Sequence, residues 1–272
     1  MKVVLFCGGL GMRLREYSEN VPKPMVPVGY RPIIWNVMKY YAHYGHKDFI
    51  LCLGHKADMI KNYFVNYDET ISNDFVFTKG GKNIDLLNTD IDDWKITFVD
   101  TGLNANIGMR LMAVKEHLKG EEMFLANYSD GLSDLPLDTM TDWFSAQKDK
   151  TAAFMAYNPQ HSFHVVKRKD DGLVESISHI GHAGLFINTG YFILRQEIFD
   201  NMTWGDELVN QPFQKLIAKN QLVSYNHQGF WASMDTFKDK QKLDDLYAQG
   251  NAPWEVWRAN YKKESKGPNV QL

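Results

Sequence analysis

Residues 3–14 read VVLFCGGLGMRL, and this stretch decides the fold. The run from Val3 to Cys7 is short, apolar and rich in valine, which predicts a buried strand. The glycines that follow let backbone amides approach an anion or a base closely, although such glycines can also form an ordinary tight turn. The segment lacks the ending of a P-loop and the glycine spacing of a dinucleotide fingerprint. Its place after a strand still predicts a nucleotide-binding loop.

Outward from this stretch, short β-branched or aromatic runs alternate with segments of helical periodicity. Strands are predicted over 49–53, 95–99 and 123–127, and helices over 33–44, 58–67 and 110–118. This alternation predicts an α/β fold with a Rossmann-like, mixed, mostly parallel sheet flanked by helices. From about residue 151 the pattern changes to short strands, over 152–157, 163–168 and 188–194, which predict a small antiparallel lobe.

Composition excludes several classes of protein. The 272 residues, 44% of them hydrophobic, suffice for a buried core. A formal net charge of -3 gives no global attraction to nucleic acid or to an anionic membrane. Cys7 and Cys52 lie in apolar runs and are too few for a disulfide framework, so we expect core thiols in a reducing compartment. With no apolar run of about 18 residues, we expect a soluble, cytoplasmic protein without a membrane partner.

The segment VPKPM at 21–25 presents a lysine between two prolines. Prolines stiffen the backbone, so the Lys23 ammonium would be held in place, whereas a lysine on a flexible loop is usually a solvated charge. Lys23 could supply a point charge at an α-phosphate. Arg13 could make a forked contact with β- and γ-phosphate oxygens.

Two distant aspartates complete the candidate chemistry, Asp130 in YSDG and Asp235 in GFWASMDT. An Asp-Gly pair after a strand is usually a turn, so neither residue is diagnostic alone. Mg²⁺ is commonly bound by one or two carboxylates together with substrate phosphates. Beside a glycine loop and a fixed lysine, the two carboxylates are therefore candidate Mg²⁺ ligands.

In order and spacing, these segments resemble the sugar-phosphate nucleotidyltransferases. WKITFVDTG at 94–102, GMRL at 108–111 and APW at 252–254 bring the likeness closest to the glucose-1-phosphate cytidylyltransferases. The resemblance covers the chain from residue 1 to about 254. It implies a nucleotidyltransferase domain over 1–254, with a nucleotide-binding half at about 1–150, an acceptor-side half at about 151–235 that includes the antiparallel lobe, and a C-terminal tail at 255–272.

The resemblance also implies a reaction and its residues. The phosphate of a phosphorylated small molecule would attack the α-phosphorus of CTP in line, with Mg²⁺ as cofactor and pyrophosphate as leaving group. The catalytic residues would be Arg13, Lys23, Asp130 and Asp235, of which both aspartates would bind the metal. The nucleotide would contact Cys7, Gly8, Gly9, Leu10, Gly11, Met12, Arg13, Lys23, Arg110 and Ser129.

Two residues depart from the family pattern near the nucleotide. Met12 stands where threonine is usual, which removes a hydroxyl. Ser129 stands where glycine is usual, which puts a side chain into a tight loop. The identity of the base is therefore open, and uridylyl or thymidylyl transfer to a sugar 1-phosphate is an alternative.

The acceptor side departs further. Family members that use glucose 1-phosphate carry a lysine in a Glu-Lys-Pro segment, and the corresponding VESISHI at 174–180 has none. The resemblance gives His164, Glu175, His179, Asn188 and Gly190 as acceptor-binding residues. His179 is the nearest substitute for the lysine, and neutral histidine is a weaker phosphate ligand. We therefore expect glucose 1-phosphate to be a poor acceptor.

Other interpretations are open at this stage. Lys167 or Lys169 could bind the acceptor phosphate with the sugar unchanged, or the acceptor could be a non-sugar phosphate or phosphonate. A non-catalytic, nucleotide-binding regulatory module would be expected to lack Lys23 or an aspartate, and all three are present. The resemblance and the aromatic residues around 75–77 and Trp94 also predict a homo-oligomer.

Overall fold

The computed structural model describes residues 1–9, 21–159 and 163–258. In chain order its strands are β1 (Val3–Phe6), β2 (Pro27–Val28), β3 (Arg31–Pro32), β4 (Asp48–Leu53), β5 (Phe75–Thr78), β6 (Asn83–Leu86), β7 (Lys95–Asp100), β8 (Met123–Asn127), β9 (Gly131–Ser133), β10 (Ala152–Tyr157), β11 (His164–Arg168), β12 (Val174–His179), β13 (Ile187–Arg195), β14 (Leu222–His227) and β15 (Trp231–Ser233). The helices of these residues are α1 (Ile33–His43), α2 (Ala57–Val65), α3 (Ile107–Ala113), α4 (Leu137–Ser145), α5 (Gln211–Ala218) and α6 (Phe237–Ala248). In these ranges no helix is long and apolar enough to cross a bilayer.

A seven-stranded sheet in the order β14-β10-β13-β8-β1-β4-β7 forms the centre of the molecule. Strand β1 pairs in parallel with β4 on one side and with β8 on the other. Strand β13 is antiparallel to both of its neighbours, β8 and β10, and the remaining pairings of this sheet are parallel. The predicted α/β class with a mixed, mostly parallel sheet is confirmed.

Residues of β1 alternate between two hydrophobic layers. Val3 and Leu5 belong to the layer that contains α1, whereas Val4 and Phe6 belong to the layer that contains α3 and α5. All four side chains are buried, as expected for a parallel strand covered on both faces. The sheet is thus fixed from both sides, and the loops after β1 and β8 leave it at the same edge.

Four two-stranded pairs lie outside the central sheet in the described residues, one of which is the short pair of β2 and β3. Strands β5 and β6 form an arm, β11 and β12 form a second hairpin, and β9 pairs with β15. In the first arm, the four residues 79–82 connect β5 to β6. A turn at residues 169–172 joins β11 to β12, where Gly172 has φ 91° and its amide donates to the carbonyl oxygen of Lys169.

The antiparallel lobe is smaller than the sequence predicts. Strands β10 and β13, which we assigned to the lobe, belong to the central sheet, so only the β11–β12 hairpin corresponds to it. The reason is burial: residues 189–195 of β13 are buried without interruption, as in a strand covered on both faces, whereas β11 and β12 are mostly exposed.

Candidate active site

A cleft of about 310 Å³ opens where β1 and β8 end. Its walls include Cys7 and Gly9 from the segment after β1, Lys23 from the proline segment, and Ser129 and Asp130 from the segment after β8. The described part of the glycine loop, the proline segment that carries Lys23 and the segment that carries Asp130 therefore meet in one cleft. Leu10, Gly11, Met12 and Arg13 lie outside the described residues.

Arg110 fills the space beneath the glycine loop. Its guanidinium is buried and donates hydrogen bonds to the carbonyl oxygen of Gly8 at 3.0 Å and to Oγ1 of Thr101 at 2.7 Å. A Cβ atom on Gly8 would lie 2.0 Å from Nη1 of Arg110, so a larger residue here would displace the buried guanidinium. Arg110 both lines the cleft and holds the loop that forms its wall.

Cys7 contributes a neutral wall. Its thiol is fully buried, and burial raises its pKa to about 12, so the thiolate is not populated near neutral pH. Cys52 is also buried, and both cysteines are unpaired thiols, as predicted. Gly9, by contrast, is exposed and has open space where a Cβ would lie.

Lys23 connects the two aspartates. Its Nζ lies 2.6 Å from Oδ2 of Asp130 and 2.7 Å from Oδ1 of Asp235. A short 3-10 turn, Lys23–Met25, carries the lysine, with Pro22 and Pro24 on either side as expected. Burial alone would lower the pKa of Lys23, but the charges and hydrogen bonds of both carboxylates raise it above its ordinary value. The lysine is therefore a cation held between two anions.

This contact tests whether the residues fit a divalent metal. One carboxylate oxygen from each aspartate lies within 2.7 Å of the same ammonium nitrogen, so the two side chains converge on a single cation position. No cluster of three or more His, Cys, Asp or Glu suited to a metal occurs in the described ranges. Two carboxylates fit Mg²⁺, which takes its other ligands from water and phosphate.

Ser129 shapes the loop that carries Asp130. Its φ of 62° lies in the left-handed region that favours glycine. Its amide donates to Oδ1 of Asn127 at 2.7 Å, and its hydroxyl donates to the carbonyl oxygen of Phe6 at 2.8 Å. The serine side chain thus joins the end of β8 to the end of β1, which offsets part of the backbone strain.

The pairing of β9 with β15 brings Asp235 to Asp130, which lies 105 positions earlier in the sequence. Gly131 is the register partner of Ser233, and the Met234 amide donates to the carbonyl oxygen of Asp130 at 2.8 Å. Trp231 lies against Gly131, where a Cβ would be 3.2 Å from its Nε1. The small strand pair is thus the device that assembles the two carboxylates.

A half-buried pair of side chains that the sequence did not reveal, His227 and Asp134, supports the β9–β15 pairing. Nε2 of His227 lies 2.8 Å from Oδ1 of Asp134, which also accepts the Phe230 amide at 2.6 Å. Burial would raise the pKa of Asp134, but the hydrogen bonds from His227 and Phe230 lower it overall. These contacts fix the turn before β15. Neither residue has a motif, so only the three-dimensional pairing identifies them.

The predicted acceptor residues are only partly brought together. Asn188 and Gly190 lie beside Tyr128, and a Cβ on Gly190 would be 2.3 Å from that ring. His164 and His179 are register partners whose ring centroids lie 5.7 Å apart. Glu175 is exposed on the same strand, four residues or roughly 13 Å from His179. The structure does not group Glu175 with the others.

Comparison with known proteins gives one family. The nucleotidyl transferase family model matches residues 2–247. The chain is 37% identical over 263 residues to a glucose-1-phosphate cytidylyltransferase of Salmonella typhimurium, covering 94% of this chain and 100% of the relative, and a Salmonella typhi protein of the same name gives the same values. A UTP-bound UGPase from Acinetobacter baumannii superposes with a TM-score of 0.66 at 19% identity, over 97% of this chain and 99% of the other.

Proposed function

Since this chain belongs to the nucleotidyl transferase family, we propose that it is an Mg²⁺-dependent enzyme that transfers CMP from CTP to a sugar phosphate and releases pyrophosphate. The observation that carries the proposal is the contact of Lys23 with Asp130 and Asp235 in the cleft beside the glycine loop. This contact supports a site in which two carboxylates and one ammonium group lie where a triphosphate would bind. CTP is favoured over other nucleoside triphosphates because the Salmonella relatives are named as cytidylyltransferases.

Asp130 and Asp235 would bind Mg²⁺ together with the triphosphate. The metal supplies charge neutralisation on the reacting phosphates. Lys23 would then contribute its ammonium near the α-phosphate, where negative charge develops. Arg110, which donates a hydrogen bond to the carbonyl oxygen of Gly8, would hold the start of the glycine loop in place. Arg13 is proposed for the β- and γ-phosphates on the resemblance alone.

The reaction balances without a covalent enzyme intermediate. An acceptor phosphate oxygen forms a bond to the α-phosphorus while the bond to the bridging oxygen breaks, and pyrophosphate carries away the electron pair. The side chains named here need only bind, orient and neutralise charge. Positioning accounts for a large part of the acceleration in such reactions.

The identity of the acceptor is a more specific part of the proposal. The relatives' name favours a sugar 1-phosphate, and the lysine-free VESISHI segment favours one other than glucose 1-phosphate. Asn188 and Gly190 remain at the strand beside Tyr128, which supports an acceptor pocket of altered shape. Oligomeric state and cytoplasmic location stay predictions.

Pyrophosphate release tests the proposal directly. The purified protein is assayed with Mg²⁺ and each of CTP, UTP, dTTP and GTP against glucose 1-phosphate, other hexose 1-phosphates and small non-sugar phosphates. We expect CTP to be the preferred donor and glucose 1-phosphate to be a poor acceptor. Release with UTP or dTTP only would mean that the enzyme transfers a uridylyl or thymidylyl group instead of a cytidylyl group. Release with a non-sugar phosphate only would mean that the acceptor is not a sugar phosphate.

Asp235→Asn removes an anionic ligand with little change of volume. We expect its turnover to fall about 100-fold or more while its circular dichroism spectrum is unchanged. Asp149→Asn, at an exposed carboxylate that does not line the cleft, is the matched control and should retain full turnover. Near-normal turnover of Asp235→Asn at limiting Mg²⁺ would refute the metal assignment. Absence of pyrophosphate release with every pair of substrates would refute the activity.

A further inference from the structure

Glu207 is a half-buried carboxylate in the wall of the cleft, and the reaction proposed above does not use it. The Ile107 amide donates to its Oε2 at 3.4 Å, and Glu207 forms no ion pair with any described residue. Burial raises the pKa of Glu207, and hydrogen bonds from the amides of Ile107 and Leu208 offset this only in part. A carboxylate has about four lone-pair sites, so Glu207 retains acceptor capacity for a ligand.

The loop that carries Glu207 is held against the start of α3. A Cβ on Gly108 would lie 2.1 Å from the carbonyl oxygen of Asp206, so glycine at this position allows the close approach of the loop. Nδ2 of Asn106 donates to the carbonyl oxygen of Gly205 at 3.0 Å. Glu207 therefore follows an anchored segment, which reduces the conformational entropy that it loses when it binds a ligand.

The cleft has two chemically different parts. Lys23 and Asp130, whose side chains lie 2.6 Å apart, mark the part where phosphates and a metal would bind. The part beside Glu207 includes Ala105 and Ile107, which are apolar. The carboxylate would repel a phosphate, whereas a heteroaromatic ring combines apolar faces with polar edges. The part beside Glu207 therefore suits the nucleoside of the bound nucleotide better than its phosphates.

The wall that carries Glu207 also holds the glycine loop. Arg110 lies on α3, three residues after Ile107, and its guanidinium donates to the carbonyl oxygen of Gly8 at 3.0 Å. Glu207 contacts the first residue of the same helix. A nucleotide that lies against the glycine loop would therefore have its nucleoside within the part of the cleft that Glu207 lines.

We propose that Glu207 determines base specificity by accepting a hydrogen bond from the 4-amino group of cytosine. The proposal rests on the proposed function, because it concerns the donor nucleotide of the same site. Cytosine presents an amino group where uracil presents a carbonyl oxygen, so a carboxylate attracts the first base and repels the second. This contact gives the preference for CTP a physical cause in this chain, in addition to the names of the Salmonella relatives.

Calorimetric titration with CTP and UTP in the presence of Mg²⁺, without an acceptor, tests this contact. The proteins are the wild type, Glu207→Gln, Glu207→Ala and Glu197→Gln, the last a control at an exposed glutamate that does not line the cleft. We expect the wild type and the control to bind CTP about tenfold or more tightly than UTP. Glu207→Ala should weaken CTP binding about tenfold. In Glu207→Gln the amide can donate to the uracil O4, so the preference for CTP should fall below about threefold.

Several outcomes would overturn the contact with cytosine. These are equal binding of CTP and UTP by the wild type, an unchanged preference for CTP in both Glu207 variants, and an equal loss of CTP and UTP binding, which would place the carboxylate at the ribose. Loss of the preference in Glu207→Gln, without pyrophosphate release from any acceptor, would support the contact and refute the transfer activity. No binding of either nucleotide by the wild type would refute both proposals. Thermal melting checks that each variant is folded.

Discussion

Gly8 lies between two cleft-lining residues, Cys7 and Gly9, and has no room for a side chain. A Cβ there would collide with the Arg110 guanidinium, whereas a Cβ on Gly9 would meet nothing within 4 Å. We expect Gly8→Ala to destabilise the fold by about 1 to 3 kcal/mol, because the buried guanidinium loses hydrogen bonds. Gly9→Ala is the matched comparison and should leave the unfolding free energy unchanged. Equal denaturation midpoints for the two variants would contradict this account.

Lys23 acts as a counter-ion before any nucleotide binds. Lys23→Met leaves the carboxylates of Asp130 and Asp235 facing each other without their shared cation. We expect a loss of about 1 to 3 kcal/mol in the absence of Mg²⁺. Added Mg²⁺ should raise the melting temperature of the variant more than that of the wild type, because the metal no longer competes with the ammonium.

Thermal melts with and without Mg²⁺ measure this difference. Lys61→Met, at an exposed lysine on α2, is the control and should respond to Mg²⁺ as the wild type does. An equal response of Lys23→Met and the wild type would mean that the metal does not replace the lysine between the carboxylates.

At the scale of single residues, the sequence predicts the site residues that stand within a recognisable motif. Lys23, Asp130 and Asp235 stand in short segments whose residue types fit one chemistry, and the structure brings all three together. His227 stands in a segment that looks like an ordinary strand, β14. Its contact with Asp134 depends on how β14 packs, which local sequence does not encode.

Among the elements, the paired strands β9 and β15 position the two aspartates, because Asp130 directly precedes β9 and Asp235 follows β15 by two residues. Asp134 supports this pairing through its hydrogen bonds. Asp134→Ala removes the acceptor of the His227 and Phe230 hydrogen bonds. We expect a loss of about 1 to 3 kcal/mol in stability and a lower turnover, because Asp235 follows the loosened strand. The readouts are urea unfolding and the Mg²⁺ dependence of turnover. Unchanged Mg²⁺ dependence would show that the pair does not position Asp235.

The same carboxylate gives a pH dependence with a defined sign. The folded-state pKa of Asp134 is lowered from its ordinary 3.8, so its contribution to stability is complete above that value and is lost as the pH falls. Asp134→Ala should therefore lose less stability than the wild type on acidification below about pH 4. Parallel stability curves for the two proteins would contradict this.

The bounds of helices and strands were predicted well where the hydrophobic periodicity was strong. The assignment of strands to sheets failed for β10 and β13, which belong to the central sheet. The strand predicted over 123–127 has the same bounds as β8, and the helix predicted over 33–44 is α1 to within one residue. Strands β10 and β13 were found at nearly their true bounds but assigned to the wrong sheet. Short apolar runs predict a strand, but they do not predict which other strand it pairs with in the sheet.

For the whole molecule, the β5–β6 arm is the most exposed apolar feature near the predicted contact region. Phe75 is 39% exposed and Phe77 61% exposed, whereas Trp94 packs against Phe49 with ring centroids 5.1 Å apart. The arm, rather than Trp94, is therefore the surface on which we base the predicted homo-oligomer. Such a patch is a frequent site of protein contact.

Phe77→Asp tests this assembly by light scattering at micromolar concentration. We expect the wild type to be at least a dimer and the variant to have a lower mass, because a charge would be buried in the contact. Ile217→Asp, at an exposed apolar residue on α5, should leave the mass unchanged. A monomeric wild type would refute the prediction.

The β11–β12 hairpin leaves the central sheet and returns to it at adjacent points. Tyr157, the last residue of β10, is the register partner of Ile187, the first residue of β13. An excursion whose ends are already joined can change in length and sequence at little cost to the sheet. In evolutionary terms the hairpin is an exchangeable insert, whose length and sequence can vary while the central sheet and the cleft at its edge stay unchanged.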